Sequence, residues 1–586
     1  MLKEFSITLV QCPCWGRETP PLAISLLAGN LRNKGFSVNL FDFNNELFHK
    51  VSDDIKRQWS QEAYTFWSSE TSVKGLMEEY SEEVDDEVRR IIETGSQLVG
   101  FTVYFTTKNY TLEIIKRLKV RSPDTTVILG GPSTAEYAGG LELLKNPCVD
   151  AIVLREGDET LPELCTAYKE KGRFVSIPGL VFKEGEEIIH GGIRNPVPSL
   201  DALPFPDYSG FDLAQYASPE RLDIFSSRSC VNRCYFCDER KYFERFRVRS
   251  GKRIFEEVQH NLTLFPHLKF FNFSDSVLNG SLKTLREFSE LLLQNNVRIA
   301  WGGQAIVRKD MSPELLSLMA KAGCTYLSYG IESGSDAVRK SMNKGRFTTE
   351  AAAQVLRDTH NAGIKAYANF MFGYPTETEE DFLMTLDFIR QNHAWIDGVS
   401  PSQSFIVIVP NTYLYENPDE FGVETHMHHL FWQTANGENT YPARFERYER
   451  FCRLCIELGL GGVGVTEEKI DKWKLLGAYY RHKKAYDTAL ECYKKDIVKH
   501  GYSAESVKFF LECSRQGEGI DLSDPYRGLD KLIFYYEGAV KFLKEEIVAE
   551  KRQHERQLEL LRKNIKRRDQ EISTLNEKLA QEMAKT

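Results

Sequence analysis

The chain has 586 residues, 42% of them hydrophobic and 27% charged, with a formal net charge of −9. That length suggests about three or four domains, and the balance is that of a soluble globular protein rather than a long disordered one. Net acidity argues against a general nucleic-acid-binding surface, and no run of about 18 apolar residues is present to cross a membrane.

The opening MLKEFSITLVQCP carries one basic residue and a short apolar run, which reads as a strand rather than a signal peptide. A cytoplasmic location is therefore expected, and reduced thiols with it. The strand at 5–11 is followed by a helix pattern over 20–34, in which Leu22, Ile24, Leu27 and Leu31 mark the apolar face, and by a second strand at 37–43. A polar helical insertion ends in the acidic run Glu78 to Glu87, read as a solvated helix face. Strand-like runs then recur at 98–105, 125–131 and 149–160, with helices between them. Five strands alternating with helices predict an α/β, doubly wound, Rossmann-like domain over residues 1–185.

In such a sheet the ligand sits at the carboxyl ends of the strands. Those ends carry Cys14, Thr106, the pair Gly130 and Gly131, Ser133, Glu156 and Gly157. Bare glycine backbone allows close approach of a large flat ligand, and the neighbouring hydroxyls can bond its periphery. Tight loops would explain the same glycines.

A proline-studded stretch over 186–220 is expected to be a linker. Beyond it lies SSRSCVNRCYFCD, with Cys230, Cys234 and Cys237 spaced C-x3-C-x2-C after the strand-like LDIF. Three thiols leave one iron of a four-iron cluster open to a cosubstrate, where a fourth would give an electron-transfer site. A zinc site is the competing reading; it normally takes a fourth Cys or His, and no histidine lies between Arg228 and Gln259. Counting LDIF, six strand-helix units follow through about residue 412, which predicts a partial TIM-type barrel over 221–450 with its chemistry at the C-terminal strand ends.

After about residue 450 the pattern is helical. KLLGAYYRHKKAYDTALECYKK at 474–495 reads as a helix pair of tetratricopeptide type within a domain over 451–538, with Gly477 and Ala489 at packing points. Leu558, Ile565, Ile572 and Leu579 recur at heptad spacing, and the segment 539–586 is expected to form a short coiled coil that pairs with a second copy or another protein. Cys12, Cys148, Cys165, Cys452 and Cys455 lie in apolar contexts and read as buried thiols, and His426, His428 and His429 as surface or packing residues.

Taken together, the cysteine loop, the barrel pattern, and the upstream ILGGPST and VLREGDETL segments resemble the radical S-adenosylmethionine enzymes that carry a cobalamin-binding domain. The resemblance covers roughly residues 1–450 and leaves the helical tail aside. It implies a 4Fe-4S cluster on Cys230, Cys234 and Cys237, S-adenosylmethionine at the open iron, and cobalamin on the strand ends named above. Phe236 stands where the family places an aromatic beside the cluster. Asp275, in FNFSDSVLN, would accept from the methionine ammonium. Glu332 and Ser333, in YGIESGS, would reach the methionine or ribose, and Gly373 and Pro375, in FMFGYPTET, would shape the adenine-binding turn. The Asp-x-His-x-x-Gly motif that supplies a cobalt-ligating histidine in some cobalamin proteins is absent.

The implied activity is reductive cleavage of S-adenosylmethionine to a 5'-deoxyadenosyl radical, used to methylate an unactivated carbon. The alternatives are cyclisation, rearrangement or oxidation without methyl transfer, and a scaffold that retains the fold without the chemistry. The expected partners are a small-molecule or carrier-bound substrate and a reductant protein. No residue is assigned as catalytic, and the substrate is not legible.

Overall fold

The structure, a computed structural model, describes residues 5–500 apart from 61–62, 136–138, 403–405, 425–429, 463–464 and 466–472, together with residue 513. The predicted coiled coil at 539–586 and the histidines at 426, 428 and 429 lie outside the described residues. Two compact units are present, residues 1–470 and 471–586.

The first unit begins with a seven-stranded sheet in the order β2-β1-β3-β4-β5-β6-β7. Its strands are β1 (Ser6–Gln11), β2 (Ser37–Asp42), β3 (Leu98–Thr102), β4 (Thr126–Gly130), β5 (Ala151–Val153), β6 (Leu180–Glu184) and β7 (Glu187–His190). β1 to β5 run parallel to one another, whereas β6 pairs antiparallel with both β5 and β7. Every residue of β1 and β3 is buried, as expected of central strands covered on both faces. Alternation divides their side chains between two cores. Val10, Val99 and Phe101 pack with Tyr110 and Ile114 on one face, and Leu9, Leu98 and Ile128 with Ile24 and Leu31 on the other.

The hairpin β6-β7 extends this sheet to His190, beyond the sequence boundary at 185. Its outer strand, EIIH, is exposed at all but Ile189 and does not announce a sheet partner. The stretch that follows is packed rather than loose. Asp207 N donates to Ser25 O at 2.9 Å, Arg32 pairs with Asp207 at 2.6 Å, and Tyr208 OH reaches Asp223 O at 2.6 Å.

Asp42 joins this linker to the end of β2. It is buried, and its carboxylate accepts from Asn45 N at 3.1 Å, capping the helix Phe43–Lys50, and from Tyr216 OH at 2.8 Å. Burial lifts its pKa to about 7, against those two hydrogen bonds. A carboxyl raised in the folded state contributes stability that is fully present below its unfolded pKa and is lost as pH rises through about 7. Asp42→Asn retains an acceptor and removes the charge. Its thermal midpoint is expected to overtake that of the wild type between pH 5 and pH 8, by the equivalent of about 3 kcal/mol; parallel midpoint curves would refute the assignment.

The second sheet has six strands in the order β8-β11-β12-β13-β14-β15, every neighbouring pair parallel. These are β8 (Arg221–Ile224), β11 (Phe270–Phe273), β12 (Ala300–Ala305), β13 (Cys324–Glu332), β14 (Lys365–Phe370) and β15 (Gly398–Pro401). Between β8 and β11 a two-stranded ribbon, β9 (Ser227–Arg228) with β10 (Arg247–Val248), frames the cysteine loop. One face of the sheet is apolar and sealed, with Leu222, Phe271, Trp301, Leu327 and Ala368 fully buried and Phe288 of the helix Leu282–Gln294 edge-on to Trp301 at 5.4 Å. The other face carries polar chains. Tyr326 OH donates to Asn272 at 2.6 Å and Asn272 to Asp223 at 3.1 Å, while Ser328 donates to Asn369 and Asn369 to Gln304, both at 3.1 Å.

The helix Tyr441–Glu457 passes through the sequence boundary at 450, because its buried Arg447 bonds Glu377 after β14 and its buried Arg444 bonds Asn439, whose amide in turn holds Gly373 O. In the second unit, Trp473–His482 and Tyr486–His500 form a close helix pair. A Cβ on Gly477 would lie 2.8 Å from the Tyr493 ring, and Ala489 is fully buried.

Candidate active site

The cysteine loop leaves the end of β8 and is clamped at once. Asp275, just beyond β11, is buried and receives Ser226 N on both oxygens at 2.9 Å, Ser227 N, and Ser227 Oγ at 3.0 Å. Burial raises its pKa to about 6, and the N–H donors act in the opposite direction. Its carboxylate is thus engaged in ordering the loop, a task the sequence motif does not reveal. Farther on, Tyr235 N donates to Met342 O at 3.0 Å, Asn343 Nδ2 to Arg233 O at 2.7 Å, and the Tyr235 ring stacks on Tyr413 at 4.1 Å. Phe236 packs on the core that includes Tyr374 and Trp432, as does Met371.

Cys230 and Cys234 are half-buried and Cys237 is exposed. Burial raises the Cys230 thiol and pushes Cys234 up to about 11. The loop brings the thiols within electrostatic range of one another, Cys230 with Cys234 and Cys234 with Cys237. Beside them lies a buried ion pair, Lys344 with Glu332. Burial opposes the charge on Lys344, but Glu332 and the Cys234 and Cys230 sulfurs more than offset it, and its pKa is raised. A buried cation facing two cysteine sulfurs suits thiolates more than thiols, and Ser229 Oγ, buried on the same loop, has no hydrogen-bond partner among the described residues. Three thiols on one loop beside a buried cation are the donor type of an anionic iron-sulfur cluster, although among the described residues no three such side chains are gathered closely enough to hold a metal ion.

The remaining predicted residues separate in space. Glu332, at the end of β13 with φ 67°, lies on the cysteine side. Ser333 is fully buried, its hydroxyl 3.3 Å from Thr385 Oγ1 and accepting from Ser335 N at 3.1 Å, so it serves the packing of the helix Glu379–Asn392. Gly373 turns with φ 71°, donates to Glu377 at 2.6 Å and accepts from Asn439 Nδ2 at 3.0 Å. A Cβ there would lie 2.2 Å from Arg444 Cγ, so the turn is held close from behind. Pro375 is buried beside it. Glu377, whose pKa burial lifts to about 7 against the pull of Arg447, completes this support.

A cavity of about 600 Å³ opens between the first sheet and the cysteine loop. Gly130, Gly131, Glu156 and Gly157 line it from the first sheet, and Ser227, Arg228, Ser274 and Asp275 from the second. Its wall is largely apolar, with Leu9, Leu26, Leu27, Leu129 and Phe225, and no histidine is among its lining residues. A Cβ on Gly130 would meet nothing within 4 Å, so bare backbone faces open space there. A wide apolar cavity over exposed backbone fits a flat macrocycle such as a corrin.

Cys14, Thr106 and Ser133 brace the rim instead of lining the space. Thr106 Oγ1 donates to Cys14 O at 2.7 Å and Ser133 N to Val103 O at 3.1 Å. Trp15 and Tyr104 do line it, stacked at 3.7 Å, and neither stood out in the sequence although each is an aromatic at a strand end.

Glu156 also belongs to a buried ionic junction. Arg228, two residues before Cys230, donates to Glu156 at 2.9 Å and to both oxygens of Asp158 at 2.6 and 3.0 Å, and Arg247 bonds Glu156 as well. Burial opposes the charge on Asp158, but Arg228 overcomes it and its pKa is lowered. The cysteine loop is thereby tied directly to the end of β5.

Residues 224–389 match the radical SAM superfamily and residues 71–165 the B12 binding domain. An uncharacterised methyltransferase of Pyrococcus horikoshii is 25% identical over 324 residues, covering 54% of this chain and 69% of the relative. An anaerobic magnesium-protoporphyrin IX monomethyl ester cyclase of Rubrivivax gelatinosus is 29% identical, covering 52% of this chain and 56% of that one. Among solved structures, the radical S-adenosylmethionine methyltransferase TsrM of Kitasatospora setae, with cobalamin and a [4Fe-4S] cluster bound, aligns with a TM-score of 0.55 at 18% identity, covering 76% of this chain and 85% of that one. The cobalamin-dependent S-adenosylmethionine radical enzyme OxsB aligns at 0.58 and 15% identity, covering 93% and 81%.

Proposed function

We propose that this chain, a radical S-adenosylmethionine enzyme with a cobalamin-binding domain, methylates an unactivated carbon of a small or carrier-bound substrate. The observation that carries this reading is the single cavity lined by the first sheet's glycine pair and by the cysteine-loop side together. Relatives named as methyltransferases, including a bacteriochlorophyllide d methyltransferase of Chlorobaculum tepidum at 27% identity, support the methyl-transfer branch.

In this reading Cys230, Cys234 and Cys237 hold a 4Fe-4S cluster, the cavity over Gly130 and Gly131 holds cobalamin, and S-adenosylmethionine lies between Glu332 and the Gly373 turn. When bound, these groups supply one-electron reduction, hydrogen abstraction by a 5'-deoxyadenosyl radical, and a methyl carrier. The chain's own residues hold and seal. Asp275 fixes the start of the loop, Lys344 balances charge beside Cys234, and the Gly373 turn is held by Asn439 and Arg444. Trp15, Tyr104 and the leucine wall give the cavity its apolar lining.

The six parallel strands are read as a partial barrel, residues 186–220 as the linker, 451–538 as a helical domain and 539–586 as a coiled coil joining a second copy or a partner. A cytoplasmic location accords with a chain in which, among the described residues, no helix is long and apolar enough to cross a membrane.

Anaerobic protein reconstituted with iron, sulfide and cobalamin, given methyl-labelled S-adenosylmethionine and host extract, is expected to yield a labelled product together with 5'-deoxyadenosine and S-adenosylhomocysteine. 5'-Deoxyadenosine alone in complete turnover would move the reading to cyclisation, rearrangement or oxidation, the chemistry of the cyclase relative. A scaffold role would require activity in the cell to survive loss of the thiols.

A further inference from the structure

Along β8 and the residues after it, Arg221, Asp223, Phe225 and Ser227 line the large cavity, alternate side chains of one strand face. Arg221 and Asp223 are 30% and 22% exposed, and a single contact of 3.3 Å joins Arg221 Nη2 to Asp223 Oδ1. A long, part-exposed ion pair of this kind adds little to stability.

Asp223 is nevertheless held in one orientation by a row built across four strands. Asp223, Asn272, Gly302 and Tyr326 stand side by side in register on β8, β11, β12 and β13. A Cβ on Gly302 would lie 2.4 Å from Tyr326 Cδ1, so only a bare backbone lets the tyrosine ring pass over β12. Its hydroxyl donates to Asn272 Oδ1 at 2.6 Å, which turns the Asn272 amide to donate to Asp223 Oδ1 at 3.1 Å. Such a relay fixes and polarises the carboxylate. Among the described residues no hydrogen bond reaches Asp223 Oδ2, and the Arg221 guanidinium donates only to Asp223.

These spare valences have opposite sign and lie together at the cavity wall. A lone anion on Arg221 would meet the Asp223 charge, and a lone cation on Asp223 would meet Arg221. A group that carries both charges pairs with both residues and strands neither. The rest of the row is neutral and hydrogen-bonding, unlike the apolar slot that suits a flat macrocycle.

We propose that Arg221 and Asp223 seat the head group of a small zwitterionic substrate, its carboxylate on Arg221 and its ammonium on Asp223. The inference rests on the reading of the chain as a radical methylating enzyme and adds a substrate class to it. Asp223 precedes Ser227, where the thiol loop is clamped, by four residues, about 13 Å of extended strand. The carbon to be methylated therefore belongs to the arm of the substrate and not to its head group.

The test uses the full chain reconstituted with its cluster and cobalamin, dialysed against the small-molecule fraction of host extract, with retained compounds identified by mass spectrometry. Wild type is expected to concentrate a compound bearing both a primary amine and a carboxylate. Acetylating the amines of the extract, or esterifying its carboxylates, should each abolish that retention. Asp223→Asn and Arg221→Gln should each weaken it about tenfold or more, because a hydrogen bond to a charged group is lost. Iron content, cobalamin spectrum and thermal midpoint should match those of the wild type. Retention of nothing, or of a compound lacking either group, would overturn the proposal. So would loss of cobalamin from the variants, which would assign the pair to the amides of the corrin. Should Asp223→Asn fail to fold, Arg221→Gln and the two chemically blocked extracts still decide. A retained zwitterion that acquires no methyl label strikes the methylation reading and leaves the head-group site standing.

Discussion

Cys234→Ala is expected to abolish cluster assembly and to reduce 5'-deoxyadenosine formation at least about a thousandfold, while leaving the fold in place. Cys234 is the middle thiol, within electrostatic range of both Cys230 and Cys237 and of the Lys344–Glu332 pair. Alanine deletes only the sulfur of a half-buried side chain, at a cost of about 1 kcal/mol. The loop remains fastened by Tyr235 N on Met342 O and by Asp275 on Ser226 and Ser227. Iron and sulfide content, the visible absorbance of the cluster, and product chromatography read the effect directly. Cys14→Ala serves as the matched control, because Cys14 is buried on the first sheet and burial pushes its thiol up to about 12. That variant should assemble a full cluster. Full iron content and undiminished 5'-deoxyadenosine in Cys234→Ala would sink the assignment of the loop.

The elements legible in the sequence were those written in local pattern. The five parallel strands of the first sheet announce themselves as apolar runs between turn signals, because burial on both faces leaves a continuous hydrophobic signature, and the six of the second as shorter runs with one apolar and one polar face. The thiol spacing is equally local. What was not legible depends on contacts between residues far apart in the chain. Asp275 reads as a ligand-binding acid from its motif, yet its partners Ser226 and Ser227 lie 49 and 48 residues away. Glu156 reads as a contact to a cofactor, whereas two arginines 72 and 91 residues away hold it. Ser333 stands next to Glu332 in sequence but turns into the helix layer, because φ 67° at Glu332 redirects the chain at the end of β13. The β6-β7 hairpin shows the reverse case: a local turn at Gly185 was present, but the exposed outer strand disguised it.

Arg228→Met is expected to lower stability by about 3 to 5 kcal/mol and to impair cobalamin retention, although Arg228 touches neither thiols nor glycine pair in its bonds. The side chain is nearly sealed, 10% exposed, between carboxylates that are 8% and 6% exposed. Methionine keeps the length and loses the charge. Asp158 is then left buried with no cation bonded to it, and Glu156 keeps only Arg247, the situation in which breaking a buried pair costs most. Adding Asp158→Asn should restore a large part of the loss, since it removes the stranded charge; a double-mutant cycle would measure the coupling. Cobalamin binding, followed by the visible spectrum, should weaken in Arg228→Met because the junction that fixes the cysteine loop against β5 is the wall of the same cavity. The pH dependence gives an independent check. The pKa of Asp158 is lowered in the folded state, so the stability it contributes is present above its unfolded value near 3.8 and is lost as pH falls through the folded one. The melting curves of wild type and Arg228→Met should therefore lie far apart at neutral pH and converge on acidification, whereas a merely steric effect of methionine would keep their separation constant.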